Sequence, residues 1–375
     1  MKACIITIVD HINIGNRLQN YATQELLKAQ GCDVSTLVYA TADEEGTKLY
    51  QLKAFLKNLL VRTNIFTSPF YIKHIKKSPK MLLVQEFNKK YVKLTSRYFF
   101  KTSKMAKYRD DFDYYCAGSD QIWNPSVVQS HDFFFMQFAP SERTFSLCAS
   151  MGASWIPEKY REIFRRGFEH VGHIAVRETS VQQIIRDMTG RESTVLPDPT
   201  LLIDKNQWHA IARKPAFDLP EQYIATYFLS ALTPAQQELL ARYALENGLR
   251  IIDINQTYDQ QVGPLEFLYL IEHADFVFTD SFHGTAFSIL FDKDFLVFQR
   301  NHVYDMSSRI TTILETVRLE NRFYRGDNNL LDDGLYDRLE QIQQQDTHHV
   351  GSILEAQKQK ADAFLKSVFA GKDRP

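Results

Sequence analysis

Apolar runs and helical periodicities alternate along most of the chain. Residues 3–9 are a nearly continuous stretch rich in Ile and Val, the pattern of a strand buried on both faces of a parallel sheet. After a polar loop, Leu18, Tyr21, Ala22, Leu26 and Leu27 recur at helical spacing up to Gly31, and residues 34–38 predict the next strand. The chain thus opens with a βαβ unit. Further strands are predicted at 114–117, 144–148, 174–176 and 195–196, between helices at 157–170 and 180–188, with Pro157 suited to a first helical turn. A polar stretch with Pro215 and Pro220 then interrupts the pattern, and the alternation resumes. Strands are predicted at 223–228, 249–254, 276–279 and 295–298, and helices at 233–247, 264–274 and 284–291. This is an α/β chain of two doubly wound parallel sheets facing a cleft. The expected domains are 1–205 and 206–330, followed by a helical tail over 331–375 that packs back on the first domain.

Composition narrows the class. With 375 residues, 44% of them hydrophobic, the chain has ample material for two cores and none of the bias of disordered sequences. The densest apolar run, 133–138, is far shorter than the roughly 20 residues of a spanning helix, and the first residues lack a secretory pattern, so a cytoplasmic location is expected. Cys4, Cys32, Cys116 and Cys148 lie far apart without metal-ligand spacing, which predicts reduced, buried packing residues and no metal site.

The net charge of −1 argues against a nucleic-acid partner. It also conceals an asymmetry. Residues 51–108 hold fourteen Lys and Arg against Glu86 alone, a net +13 that leaves −14 for the rest. Phe55, Phe66, Phe70, Tyr71 and other apolar residues interleave with these cations, so 44–108 reads as a basic helical insert. Peripheral contact of 51–108 with an anionic membrane is the favoured partner reading, nucleic acid is its rival for this segment, and a solvated basic helix pair is the plain alternative.

Four strand ends carry polar side chains suited to chemistry. Thr279-Asp280-Ser281-Phe282-His283-Gly284-Thr285 follows a buried strand, and the pattern predicts a polar turn exposing Asp280, Ser281 and His283 before a helix that starts at Gly284. Anions favour helix N-termini at the carboxyl ends of strands, although a lone His in such a turn can equally cap the backbone. Gly118-Ser119-Asp120-Gln121 has the same logic in the first half, with a well-capped loop as its plain alternative. Val176-Arg177-Glu178 adds a guanidinium suited to bidentate contact with carboxylate or phosphate, and Asn13-Ile14-Gly15-Asn16 opens the first helix with backbone N–H groups to offer. No GxGxxG, P-loop, HExxH or GxSxG motif is present.

Taken in order, these segments resemble the polysaccharide pyruvyl transferase family. The residues that carry the resemblance are 13–19, 118–125, 176–178, Asp198-Pro199-Thr200, Gly263-Pro264-Leu265-Glu266, the 279–284 turn and Ser308-Arg309-Ile310. The resemblance implies two Rossmann-like domains in a GT-B-like arrangement. It also implies transfer of pyruvate from phosphoenolpyruvate, as a ketal, onto two hydroxyls of a hexose such as galactose in a lipid-linked repeat unit. No further cofactor is implied. His283, Asp120 and Glu178 become the acid–base candidates, and Arg177, Arg309, Ser281, Gly284 and Thr285 the donor-binding ones. Asn13, Gly15, Asn16, Ser119 and Gln121 become the acceptor-binding candidates. One departure stands out: relatives carry Ser-Arg-Phe-His where this chain has Asp280-Ser281-Phe282-His283, so Ser281 replaces an Arg expected to hold the donor. A nucleotide-sugar glycosyltransferase and a non-catalytic glycan-binding subunit are the competing readings of the same fold.

Overall fold

The N-terminal apolar run forms an interior strand of a sheet covered on both faces. In the computed structural model, residues 1–9, 12–41, 78–95, 98–100, 109–128, 132–300, 307–331 and 334–370 are described. Strands β1 (Lys2–Ile6) and β2 (Asp33–Thr36) begin the first sheet, and β3 (Tyr39–Thr41) pairs with β4 (Tyr98–Phe100) in a separate short ladder. The first sheet continues with β5 (Tyr114–Ala117), β6 (Thr144–Ala149), β7 (His173–Val176) and β8 (Thr194–Val195) in the order β2-β1-β5-β6-β7-β8, parallel throughout. The second sheet is also parallel: β9 (Tyr223–Tyr227), β10 (Arg250–Asp253), β11 (Phe276–Thr279), β12 (Asp294–Phe298) and β13 (Phe323–Tyr324), in the order β10-β9-β11-β12-β13. Each sheet reverses its winding beside its first strand, between β1 and β5 and between β9 and β11. A doubly wound sheet opens a crevice at such a point.

Helices tie the two sheets together. Helix α1 (Ile14–Ala29) follows β1, yet Ile14, Leu18, Tyr21 and Ala22 pack in the second domain's core, with Tyr21 edge-on to Trp208 at 5.3 Å. Helix α2 (Pro79–Tyr91) adds Phe87 to the same core, and its Lys80 ammonium is buried against the Asp259 carboxylate. The first sheet is flanked by α3 (Arg161–His170) and α4 (Thr179–Thr189), and α5 (Lys205–Ile211) brings Trp208 to the shared core. Helices α6 (Pro234–Glu246), α7 (Pro264–Glu272), α8 (Phe282–Leu290), α9 (Ser308–Val317) and α10 (Leu335–Gln344) surround the second sheet. The last helix, α11 (His348–Phe369), runs from one domain to the other. Val350 and Leu354 join the second domain's core, Ala361, Leu365 and Val368 the first domain's, and Phe369 meets Tyr114 and Phe145 edge-on at 4.9 and 5.8 Å. All four cysteines are buried and free.

Three local expectations change. Helix α8 begins at Phe282 rather than Gly284, because the Ser281 hydroxyl accepts from Gly284 N at 3.5 Å and caps the helix two residues earlier. Asp280, Ser281 and His283 are consequently buried, not exposed. Pro157 has extended dihedrals and precedes a single 3-10 turn, Glu158–Tyr160, so α3 starts only at Arg161. The pairs β3–β4 and β13 are too short to leave a period-2 signal. Of the basic insert, α2 and its flanks are described. Most of the cations of 51–108, on which the membrane reading rests, lie outside the described residues.

Candidate functional site

The residues singled out at four strand ends converge where α1 meets α8. Gly15 is what permits the approach: a Cβ at this position would fall inside the imidazole ring of His283. Asn13 caps α1 by accepting from Asn16 N at 3.0 Å, which leaves the Asn16 amide free to donate to Asp120 Oδ2 at 2.7 Å. Asp120 follows β5 in the left-handed region, at φ 70°. An aspartate tolerates that conformation, and here it draws Ile122 N and Ser150 N onto the Asp120 carbonyl at 2.8 and 3.0 Å. The turn therefore holds the carboxyl group fixed in the seam between the domains. Burial works against its charge, but Arg177, His283, the Asn16 amide and Arg309 outweigh it and hold the Asp120 carboxyl below its ordinary range.

Arg177 leaves β7 and is 2% exposed. Its Nη1 donates to Asp198 Oδ2, and its guanidinium lies over the Phe282 ring at 4.5 Å. Nε and Nη2 have no hydrogen-bond partner in the protein, Asp120 Oδ1 being 4.0 Å from Nη2. Asp198 is itself saturated: Oδ2 also accepts from Ser119 Oγ at 2.9 Å, and Oδ1 from Thr200 N and Oγ1 at 3.0 and 2.8 Å. Glu178 accepts from Ser150 Oγ and from Gly152 N at 3.3 Å through Oε1, while Oε2 is buried without a partner.

Arg309 arrives from the first turn of α9. Its guanidinium faces Phe282 at 5.7 Å from the opposite domain's Arg177, and the Gln121 amide lies 3.2 and 3.3 Å from its Nη2 and Nη1, oriented so that the oxygen accepts from both. Arg309 Nε has no partner, and burial, followed by the nearby Arg177, lowers the group to about 10, still fully charged at neutral pH. His283 Nε2 is likewise buried without a partner. Burial pushes the imidazole below its usual value against the pull of Asp198 and Asp120, so the ring is neutral at pH 7.

The remaining candidates shape the turn. Ser281 caps α8, Thr285 Oγ1 donates to the Ser281 carbonyl at 3.0 Å, and Gly284 has no room for a Cβ against Thr279 Oγ1. Sequence reasoning passed over Asp198, Ser150 and Phe282. Asp198 stood inside a quoted motif, and the acid two residues before Thr200 is a capping signature that could have marked it. Phe282 carried no polar signal, although both guanidinium groups approach its ring.

Comparison with known proteins fits this construction. Three solved structures align along nearly their full lengths. A UDP-N-acetylglucosamine 2-epimerase of Listeria monocytogenes is 11% identical at TM-score 0.51, over 100% of this chain and 98% of that one. The glycotransferase of kitacinnamycin is 12% identical at 0.46, over 98% and 97%, and MurG of Acinetobacter baumannii is 10% identical at 0.42, over 99% of both. At 11% identity the likeness to the epimerase concerns the fold alone: two Rossmann-like domains facing each other. No curated protein matches the sequence closely enough to count as a relative. The model of the polysaccharide pyruvyl transferases matches residues 13–302, a span that contains Asn16, Asp120, Arg177, Asp198 and His283. With most of its length so matched, the chain belongs to the polysaccharide pyruvyl transferase family.

Proposed function

We propose that the protein transfers pyruvate from phosphoenolpyruvate onto two hydroxyls of a hexose, such as galactose, in a lipid-linked repeat unit of a surface polysaccharide, at the cytoplasmic face of the membrane. The observation that carries the reading is the pair of buried guanidinium groups, Arg177 and Arg309, each with unpartnered N–H groups, beside a His whose Nε2 is also unpartnered. Buried donors are normally satisfied, so these mark the place of an anionic ligand. A carboxylate and a phosphate on one small molecule suit two guanidinium groups that both approach the Phe282 ring.

In the proposed reaction His283 gives a proton to the methylene carbon of the donor. The electron-poor carbon that results is attacked by a sugar hydroxyl, whose proton passes to Asp120. Phosphate then leaves, and the second hydroxyl closes the ketal and releases its proton. The neutral resting state of His283 is compatible with this role, because a bound dianion beside the ring favours the imidazolium. Asn16 and Gln121 hold Asp120 and Arg309 in place and line the route of the acceptor. The scheme calls for no resident cofactor.

The test is mass spectrometry of candidate lipid-linked or synthetic hexosides after incubation with phosphoenolpyruvate, together with phosphate release. A pyruvyl ketal that depends on the acceptor is expected, and His283→Ala should cut turnover by about 10²–10⁴ while the protein stays folded. Full activity in that variant would remove His283 from the mechanism. Release of a nucleoside diphosphate from a nucleotide sugar would replace the whole reading by glycosyl transfer.

A further inference from the structure

Close to the His283 turn lies a cavity of about 100 Å³, lined by Arg177, Asp198, Phe282 and Arg309 and, on α11, by Gln357 and Lys360. Neither His283 nor Asp120 reaches it. Two domains and the terminal helix therefore share a wall that neither domain could build alone. We infer that this cavity is a phosphate-binding subsite, and that the C-terminal helix completes it through Lys360.

The charge around the cavity supports an oxyanion. Asp198 is its one carboxylate, and all four of its hydrogen bonds are taken by Ser119, Thr200 and Arg177. Its charge is thus matched by Arg177, leaving Arg309 and Lys360 as the excess. Arg177 Nε and Nη2 and Arg309 Nε, all on side chains more than nine-tenths buried, have no acceptor among the described residues. Lys360 Nζ donates to the Val195 carbonyl at 3.0 Å, which uses one of its three protons and holds the ammonium at the rim. A cavity of this volume has room for several waters or for one phosphate group.

The phosphate can come from the donor, in which case the inference rests on the reading proposed above, or from inorganic phosphate in solution. Two measurements on the full-length protein separate the sources. Inorganic phosphate is first titrated calorimetrically against chloride at equal ionic strength. Wild type should bind, and Lys360→Met should weaken binding about tenfold, the effect of one charged hydrogen-bond donor. Lys358→Met, on the neighbouring face and paired with Glu355, should change nothing. Steady-state kinetics follow: Lys360→Met should raise KM for phosphoenolpyruvate about tenfold with kcat within about twofold, and phosphate should compete with the donor. If phosphate binds through Lys360 but phosphoenolpyruvate neither competes nor reacts, the subsite stands and the donor reading falls. If wild type shows no preference for phosphate over chloride, or if Lys360→Met binds it unchanged, the inference is wrong. Lys360 is exposed, so its loss does not endanger the fold.

Discussion

Asp120 and Asp280 occupy the same place in the two domains. Each follows the strand across the winding reversal from the domain's first strand, β5 in one and β11 in the other. Their carboxylates nevertheless do opposite things. Asp280 turns inward: Oδ1 and Oδ2 accept from Leu229 N and Ser230 N, at 2.7 and 3.0 Å, and stitch the end of β9 to the end of β11, with Arg300 Nε 3.5 Å away. Asp120 faces the seam, where it meets Asn16 and Arg177 of its own domain and His283 of the other. The glycines repeat the contrast. Gly15 makes room for a side chain of the other domain, Gly284 for Thr279 of its own. Equivalent strand ends thus divide the work, one domain presenting groups and the other bracing the turn that presents His283.

The largest expected effect tests the presenting side. Asp120→Asn keeps the shape and the contact with the Asn16 neighbourhood but removes the charge and the proton acceptor, so turnover should fall by about 10²–10⁴ with the melting temperature nearly unchanged. Gly15→Ala comes next. The added methyl must push α1 away from His283, and a displacement of about 1 Å should cost roughly 10² in turnover. Asp280→Ala, on the bracing side, should act on stability instead. Two N–H groups of a part-buried turn lose a charged acceptor, which amounts to about 3 kcal/mol, read as a lower denaturation midpoint. If Asp280→Ala lost turnover without losing stability, or Asp120→Asn the reverse, the division of labour would be refuted.

Sequence reading could not have made this distinction. Both acids follow a buried apolar strand in a short polar segment that marks each for chemistry, and only the resemblance put Asp120, and not Asp280, among the acid–base candidates. What separates them is which backbone N–H groups lie within reach, and that depends on the partner strand, β9 for one and β1 for the other. The parallel sheets themselves were legible, since strands buried on both faces leave continuous apolar runs such as 276–279 and 114–117. The convergence of Arg177 with Arg309, 132 positions apart in sequence, was legible only through the order of the motifs. Phe282 and Lys360 were not legible at all: an apolar residue in an apolar helix and a lysine in a polar tail carry no local mark of the cavity they share.

The smallest effect is the most direct measure of coupling across the seam. In the free protein burial holds the His283 imidazole below its ordinary value, while the Asp120 carboxylate pulls the other way by favouring the charged ring. Removing that carboxylate must therefore lower the imidazole further, and adding a dianionic donor must raise it. Titration of the His283 ring protons by NMR should show a midpoint below 6.5 in wild type and a lower one in Asp120→Asn. The same sign governs the rate profile. If His283 is the proton donor proposed above, the protonated ring is the active form, and kcat/KM, which reports the free enzyme, should decline with rising pH earlier than kcat, which reports the complex. A His283 midpoint that stays put or rises in Asp120→Asn would mean that the two residues, though brought to one seam, do not act on each other, and the proton relay between the domains would have to start elsewhere.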